Sequence, residues 1–130
     1  MRKLILAAWL VLALAGASGA ALAACVVQTI NFGETKNGTL TTDDCVDHSA
    51  NGQDYYYDWY EFTGTAGQQI AISNSSTAID SDLQLIYPDD TYLYDDDSGG
   101  GTNARIPASG FLTLTQTGTY AIAASSALSA

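Results

Sequence analysis

The sequence has 130 residues, of which fourteen are acidic and four are basic, and its net charge at pH 7 is −10. A chain this acidic is repelled by nucleic acid and by anionic lipid, so we expect no nucleic-acid partner. The length allows one domain of ordinary size.

The N-terminal segment predicts export. Two basic residues precede an unbroken apolar run at residues 4–15, and small residues lead to a small-x-small pattern at residues 21–23. This order is typical of a signal peptide, so we predict a signal peptide at residues 1–23 and a single mature domain at residues 24–130. A transmembrane helix is the alternative, but the second half of the stretch is rich in Ala and Gly and no basic flank follows it.

Removing this segment makes the remaining domain more acidic. Residues 24–130 carry two basic and fourteen acidic side chains, which gives a net charge of −12. They contain no further apolar run of membrane-spanning length, so we expect no membrane span in the mature chain. Solubility in salty water explains an acidic excess by itself, whereas cation binding requires that the carboxylates cluster.

Cys25 and Cys45 are the two cysteines of the chain. An even number of cysteines in an exported chain predicts a disulfide between them and a secreted or periplasmic location. Residues 22–25 also fit a bacterial lipobox, in which Cys25 would be acylated. Lipoproteins usually place a polar tether after the lipid, whereas here a strand-like segment follows at once. A lipid-anchored envelope lipoprotein is therefore the alternative.

The mature chain has the pattern of β-structure throughout, because no window shows sustained helical periodicity and turn residues recur every few positions. About eight short strands at this spacing predict an all-β fold, an antiparallel β-sandwich of jelly-roll type, with a closed barrel as the alternative. A polar loop is predicted at residues 43–54 and an acidic, Gly-rich loop at residues 96–103. The predicted strands are residues 26–32, 38–42, 55–63, 69–74, 82–87, 91–95, 104–107, 111–115 and 119–124.

Alternation along these strands predicts the core. Residues two apart lie on the same face of a strand, so one apolar set should point inward. The predicted core residues are Tyr60, Phe62, Ile70, Ile72, Leu83, Leu85, Leu112, Leu114, Tyr120 and Ile122. The last strand is rich in Ala where bulkier β-formers are expected, which predicts a weak edge at the end of the fold.

An aromatic cluster lies in the third strand. Tyr55, Tyr57 and Trp59 alternate with the side that carries Tyr60 and Phe62, so they should point away from the core. We interpret these three residues as a binding surface, an aromatic platform for a sugar or a peptide. The alternative is a strand that is covered on both faces.

An acidic rim, defined by Asp80, Asp82, Asp95, Asp96 and Asp97, is the predicted metal site. A tight turn at residues 89–90 would place Leu85 opposite Tyr94, Gln84 opposite Asp95, and Asp82 opposite Asp97. Carboxylates gathered beside a loop with free carbonyls suit Ca²⁺, which prefers six to eight oxygen ligands. The alternative is a solvated rim whose side chains spread apart.

No catalytic constellation is predicted. His48 is the one histidine, and its neighbours Asp47 and Ser49 do not form a triad, because triad groups converge from separate segments. One histidine and two cysteines predicted to be bonded also make a zinc site unlikely to form. We therefore expect a domain that is not an enzyme.

Residues 28–124 resemble the bacterial pre-peptidase C-terminal domain family. The resemblance lies in the order and spacing of residues 58–62, 64–72, 80–85, 95–106 and 118–122. It implies a jelly-roll-like sandwich and a secreted accessory module, usually appended to peptidases or other hydrolases. Related domains in some secreted enzymes bind calcium and extracellular polymers.

Two functions remain open from the sequence. The first is a non-catalytic binding module of the cell envelope or exterior, calcium-stabilised, whose partner is an extracellular polymer, either protein or glycan. The second is a structural domain that associates with another secreted protein. An aromatic patch open to solvent favours the first, and a long uncapped apolar edge at the last strand favours the second.

Overall fold

The computed structural model describes residues 2–4 and 25–126. Arg2–Leu4 form a short strand, and the rest of the predicted signal peptide, with its cleavage site, lies outside the described residues. The predicted boundary at residue 23 therefore stays a prediction. Within the described residues no helix is long and apolar enough to cross a membrane.

The described residues form twelve strands and no helix. Turn-forming residues end each strand after a few positions, as the composition predicts. In chain order the strands are β1 (Arg2–Leu4), β2 (Val27–Thr29), β3 (Asn37–Gly38), β4 (Cys45–His48), β5 (Asp54–Gly64), β6 (Gln69–Ile70), β7 (Ile72–Ser76), β8 (Ser81–Ile86), β9 (Tyr92–Asp95), β10 (Ala104–Ile106), β11 (Leu112–Thr113) and β12 (Gly118–Ser126).

The strands build the predicted β-sandwich, not a closed barrel. One sheet has the order β2-β5-β12-β8-β9, and β4 also pairs with β5. The opposing sheet has the order β10-β7-β1-β3, and β11 pairs with β6 in a small third ladder. The pairs are antiparallel except β2 with β5, which run parallel.

The core lies between the sheets and matches the predicted alternation. Eight of the ten predicted core residues are buried, and Ile72 and Leu112 are partly buried and pack against the buried cluster. One further strand, β10, contributes Ala104 and Ile106 to the same cluster, and β12 adds Ala124 on the same face as Tyr120 and Ile122. β10 has three residues, which is too short for an alternating pattern to distinguish its inward face.

The last strand is not an edge. β12 lies between β5 and β8 and pairs antiparallel with both, so the predicted weak C-terminal edge is wrong. Its alternation explains the many alanines: Ala124 is buried in the core, whereas Ala121 and Ala123 point to the opposite side of the sheet. The small side chains of Ala121 and Ala123 leave room for larger side chains of β5 and β8 on the outer face of the sheet.

The hairpin of β8 and β9 differs by one residue from the predicted register. The Tyr87 N–H donates to the Thr91 carbonyl at 2.8 Å, which leaves a three-residue loop with Asp90 at φ 66°. Three-residue hairpin loops place their last residue in the left-handed region, which Asp tolerates. Leu85 therefore faces Leu93, and Gln84 faces Tyr94. The predicted pairings of Leu85 with Tyr94, Gln84 with Asp95 and Asp82 with Asp97 are wrong.

The predicted disulfide is confirmed, and the predicted loop around it is partly wrong. Cys25 and Cys45 are bonded, and none of the described cysteines is free. Cys45 is buried, and β4, which it begins, pairs with β5 inside the segment predicted as a loop. The bond thus attaches Cys25 to β4, which pairs with the long strand that carries the aromatic residues.

Candidate functional site: the outer face of the large sheet

The outer face of the large sheet is the side that points away from the core. Because Tyr60 and Phe62 are buried, the alternating residues of β5 point outward, and these include Tyr55, Tyr57 and Trp59. All three are half-buried. The structure therefore places the predicted binding residues together on one face, as the alternation indicates.

Backbone register aligns side chains of four strands into rows across this face. The middle row runs from Trp59 of β5 through Ala123 of β12 and Gln84 of β8 to Tyr94 of β9. On one side of it lies a row of Glu61, Ala121, Ile86 and Tyr92. On the other side lies a row of Tyr57, Ser125 and Asp82.

The rows form a trough, which we define by its floor of Ala121, Ala123 and Ser125. Strand spacing of about 4.8 Å places β5 and β8 roughly 10 Å apart on either side of this floor. Tyr57 and Trp59 stand on the β5 side. Ala121 and Ser125 are only 8% and 9% exposed although they lie on the outer face, so neighbouring side chains rise above this floor.

Tyr92 and Tyr94 belong to this face and were not predicted as site residues. They are 63% and 50% exposed, which is high for tyrosine side chains on a strand. Their alternation in β9 is visible in the sequence, but their alignment with Trp59 depends on the pairing of β5, β12, β8 and β9. Only the structure supplies that pairing.

Hydrogen bonds and ring contacts order the aromatic side chains. The Trp59 Nε1–H donates to Glu61 Oε1 at 3.3 Å, and the rings of Tyr57 and Trp59 are 5.9 Å apart between centroids. The Tyr55 hydroxyl donates to Gln53 Oε1 at 3.1 Å. The Ser125 hydroxyl donates to the carbonyl of Tyr56 at 2.7 Å. Pre-ordered rings lose little conformational entropy on binding.

The acidic rim adjoins one end of the trough. The negative charge of the rim affects Tyr94. Burial and the nearby carboxylates of Asp82, Asp96 and Asp80 raise the pKa of Tyr94 to about 12. Desolvation and repulsion by Asp96 and Asp80 also raise the pKa of Asp97. Both shifts have the direction expected for groups that are partly desolvated and surrounded by carboxylates.

The five rim residues do not play equal parts. Asp95 Oδ2 accepts hydrogen bonds from the backbone N–H groups of Ser98 and Arg105, so this carboxylate holds the loop. Asp80 Oδ1 is buried and makes no hydrogen bond to the described residues. In the observed register Gln84 faces Tyr94 and Leu83 faces Asp95, and β9 ends there, so neither Asp96 nor Asp97 is paired with Asp82. No group of three or more metal-ligating side chains among residues 2–4 and 25–126 is already arranged around a metal position.

His48 is bonded to a carboxylate of the neighbouring strand. Its Nδ1 lies 2.6 Å from Asp54 Oδ1, and the two residues are paired at the ends of β4 and β5. Both side chains are exposed. The hydroxyl of the adjacent Ser49 donates to the carbonyl of Gln53 at 2.9 Å.

An open pocket of about 320 Å³ is lined by residues 30–34 and by residues of β5, β6, β7 and β12, none of which belongs to the trough floor. Its lining is mostly apolar and includes Ile30, Phe62, Ile70 and Ile122. Glu34 is at this pocket, and its carboxylate is 3.9 Å from Lys36 Nζ. The pocket offers apolar contact but few polar groups that would select a ligand.

Comparison with protein families identifies the fold. The family profile of the bacterial pre-peptidase C-terminal domain matches residues 56–126, which is more than half of the chain. The match begins in β5 and ends with β12, so it includes all four strands of the trough. No curated protein and no solved structure matches the chain.

Proposed function

Because this chain belongs to the bacterial pre-peptidase C-terminal domain family, we propose that it is a non-catalytic, exported binding module of the cell envelope or exterior. Domains of this family are commonly non-catalytic modules of secreted proteins. The partner class that we propose is an extracellular polymer, either protein or glycan. The outer face, with Tyr55, Tyr57 and Trp59, is the proposed binding surface.

The observation that carries this proposal is the aromatic outer face. Monomeric proteins rarely leave ordered aromatic side chains together on a concave surface unless that surface binds something. Tyr and Trp also combine a large apolar area with a polar tip, which suits partners that are themselves partly polar. The alternative function, a structural domain that associates with another secreted protein, was based on a free edge at the last strand. β12 offers no such edge, because it is paired on both sides.

Export is supported by the disulfide. Disulfides persist in oxidising compartments, so the Cys25–Cys45 bond favours a secreted or periplasmic location. A lipid anchor would require the same Cys25 sulfur as a thioether, and one sulfur cannot form both bonds. We therefore place the lipid-anchored form second.

We further propose that Ca²⁺ stabilises the domain at the acidic rim. Desolvation and then repulsion by neighbouring carboxylates raise the pKa of Asp97, and a divalent cation would relieve the repulsion. Asp80, Asp82, Asp96 and Asp97 would supply the carboxylate oxygens, and carbonyls of the Gly-rich loop could add neutral ligands. Asp95 would hold the loop in place through its bonds to Ser98 and Arg105.

A polymer-binding assay tests the proposed function. Purified oxidised protein is incubated with insoluble glycans and with extracellular protein polymers, and the bound fraction is measured. We expect one polymer class to retain the wild type and to retain the Trp59→Ala variant much less. Phe111→Ala is the matched control, because Phe111 is an exposed aromatic residue outside the large sheet. Retention of no polymer, or equal loss in both variants, contradicts the proposal.

A further inference from the structure

We propose that the trough over β12 binds an extended protein segment that carries Lys or Arg side chains. This inference rests on the proposed function, because it uses the same face and selects one class of polymer. Three features of the trough support it, namely its shape, its charge and its aromatic surfaces.

The shape fits one extended chain. The floor residues Ala121, Ala123 and Ser125 span roughly 14 Å along β12, since antiparallel strands rise about 3.4 Å per residue. The distance of roughly 10 Å between β5 and β8 is twice the spacing of neighbouring strands, which leaves the width of one strand over the floor. A single extended chain can therefore lie along the floor with side chains directed toward both sides.

The charge of the trough is negative at both ends. Glu61 occupies the row that contains Ala121, and Asp82 occupies the row that contains Ser125. Asp96 follows the end of β9, and its carboxylate contributes, after burial and Asp82, to the raised pKa of Tyr94. A cationic partner is attracted by this arrangement and an anionic one is repelled.

Two basic side chains of the described mature residues have partners outside the trough. Lys36 is buried and lies 3.9 Å from Glu34. Arg105 donates from its guanidinium to the carbonyls of Pro107 and Gly110, at 2.5 and 2.7 Å.

The aromatic surfaces suit ammonium and guanidinium groups. Trp59 and Tyr94 belong to one row, and Tyr57 and Tyr92 belong to the rows on either side. Cations bind over the faces of Trp and Tyr rings, and a nearby carboxylate adds to this attraction. A neutral glycan would use the rings for stacking but would gain nothing from the surrounding negative charge. The combination of rings and carboxylates therefore favours a basic segment.

The test uses two labelled peptides that differ only in charge. One alternates Lys with Gly and Ser, and the other has Gln in place of each Lys. Binding to the oxidised protein is measured by fluorescence anisotropy with EDTA present, so that no divalent cation competes. We expect the Lys peptide alone to bind, and to bind more weakly at high salt, because the screening length falls from about 10 Å at 0.1 M to about 3 Å at 1 M.

Variants place the binding site in the trough. Tyr94→Ala removes an exposed ring from an edge strand, and the loss of one cation–π contact should weaken binding by about fivefold to thirtyfold. Glu61→Gln removes one charge while keeping an oxygen that can accept from Trp59, and Ala123→Leu fills the floor without removing any group. Both should weaken binding. Phe111→Ala and Asp43→Asn, which change a ring and a charge outside the trough, should bind as the wild type does. Thermal melting checks that each variant is folded.

The results separate this inference from the proposed function. Equal binding of the Lys and Gln peptides, or a loss in Phe111→Ala and Asp43→Asn as large as in the trough variants, overturns the inference. Binding of a neutral oligosaccharide that depends on Tyr94 and Ala123, without binding of the Lys peptide, also overturns it but leaves the binding module intact. If neither peptide nor any polymer binds, both proposals fail.

Discussion

Leu83 of β8 lies directly across from Asp95 of β9, so the Asp95 side chain is on the same face of the hairpin as the buried Leu83. Its Oδ2 accepts from the N–H groups of Ser98 at 3.0 Å and Arg105 at 2.8 Å. Burial acts to raise the pKa of Asp95, but these hydrogen bonds outweigh it and hold the pKa below its usual value. One side chain thus joins β9 to the acidic loop and to β10.

Asp95→Ala should lower the free energy of unfolding by about 1–2 kcal/mol, because two backbone N–H donors lose their acceptor. Urea unfolding at pH 7 measures the change, and Asp97→Ala, which removes an exposed rim carboxylate, is the control. A group with a lowered folded pKa stabilises above its unfolded pKa and loses that effect as the pH falls through the folded pKa. The difference in the free energy of unfolding between wild type and Asp95→Ala should therefore become smaller in acid. An equal loss in both variants would contradict this role.

Tyr94 should make the fold sensitive to alkali. Burial and the neighbouring carboxylates raise its pKa to about 12, from an ordinary value of 10.0. Its contribution to stability is complete below the unfolded pKa and is lost as the pH rises through the folded pKa, so the loss falls between about pH 10 and pH 12. Tyr94→Phe should reduce this loss. The midpoint of thermal unfolding, measured at several pH values from 8 to 11, gives the slope for both proteins, and identical slopes would contradict the prediction.

The two faces of β8 should differ sharply in their tolerance to substitution. Leu85 is fully buried, and Leu85→Ala should cost roughly 2–5 kcal/mol through lost contacts and a cavity. Gln84 points to the outer face, so Gln84→Ala should change the free energy of unfolding little. Chemical denaturation compares the two variants. Similar losses in the free energy of unfolding at both positions would mean that the inward and outward faces of β8 are wrongly assigned.

This alternation is the part of the structure that the sequence predicts well. Period-2 patterns are local, so the inward set around Tyr60, Phe62 and Leu85 and the outward set of Tyr55, Tyr57 and Trp59 follow from neighbouring residues alone. Strand pairing is not local. Nothing within β12 itself indicates that it inserts between β5 and β8, and for that reason its alanines suggested a weak edge.

The strand pairing around the acidic rim did not follow from the sequence for a different reason. It depended on the turn predicted at residues 89–90, where one residue decides the register of the whole hairpin. Asp90 adopts the left-handed conformation, and the loop is one residue longer than predicted. As a result Tyr94 lies opposite Gln84 and Asp95 lies opposite Leu83, from where Asp95 holds the loop.

Loss of the disulfide should destabilise the domain. The bond closes a loop with a sequence separation of 20, for which chain entropy gives about 3 kcal/mol. Cys25→Ser and Cys45→Ser should therefore unfold at lower denaturant concentration by similar amounts, and reduction of the wild type should match them. If Cys25→Ser lowered the free energy of unfolding much less than Cys45→Ser does, loss of the shared disulfide would not explain both effects.

The mass of the exported protein tests export and the disulfide together. We expect the mass of residues 24–130 less two hydrogens, and no reaction with a thiol reagent before reduction. A mass increased by diacylglycerol and an acyl chain, with Cys45 reactive, would instead identify the lipid-anchored form. Retention of residues 1–23 would contradict the predicted cleavage.

Calcium should raise the melting temperature of the wild type if it binds the acidic rim, because a ligand that binds only the folded state stabilises that state by mass action. Asp82→Asn and Asp97→Asn should each lose most of the increase, since each removes one carboxylate from the proposed ligands. Asp43→Asn, which removes a charge in a distant turn, should retain it and so separates ligation from a general reduction in acidity. Magnesium at the same concentration should stabilise less, because it requires a smaller, near-octahedral site. An unchanged melting curve in millimolar calcium would mean that the rim is only a solvated acidic surface.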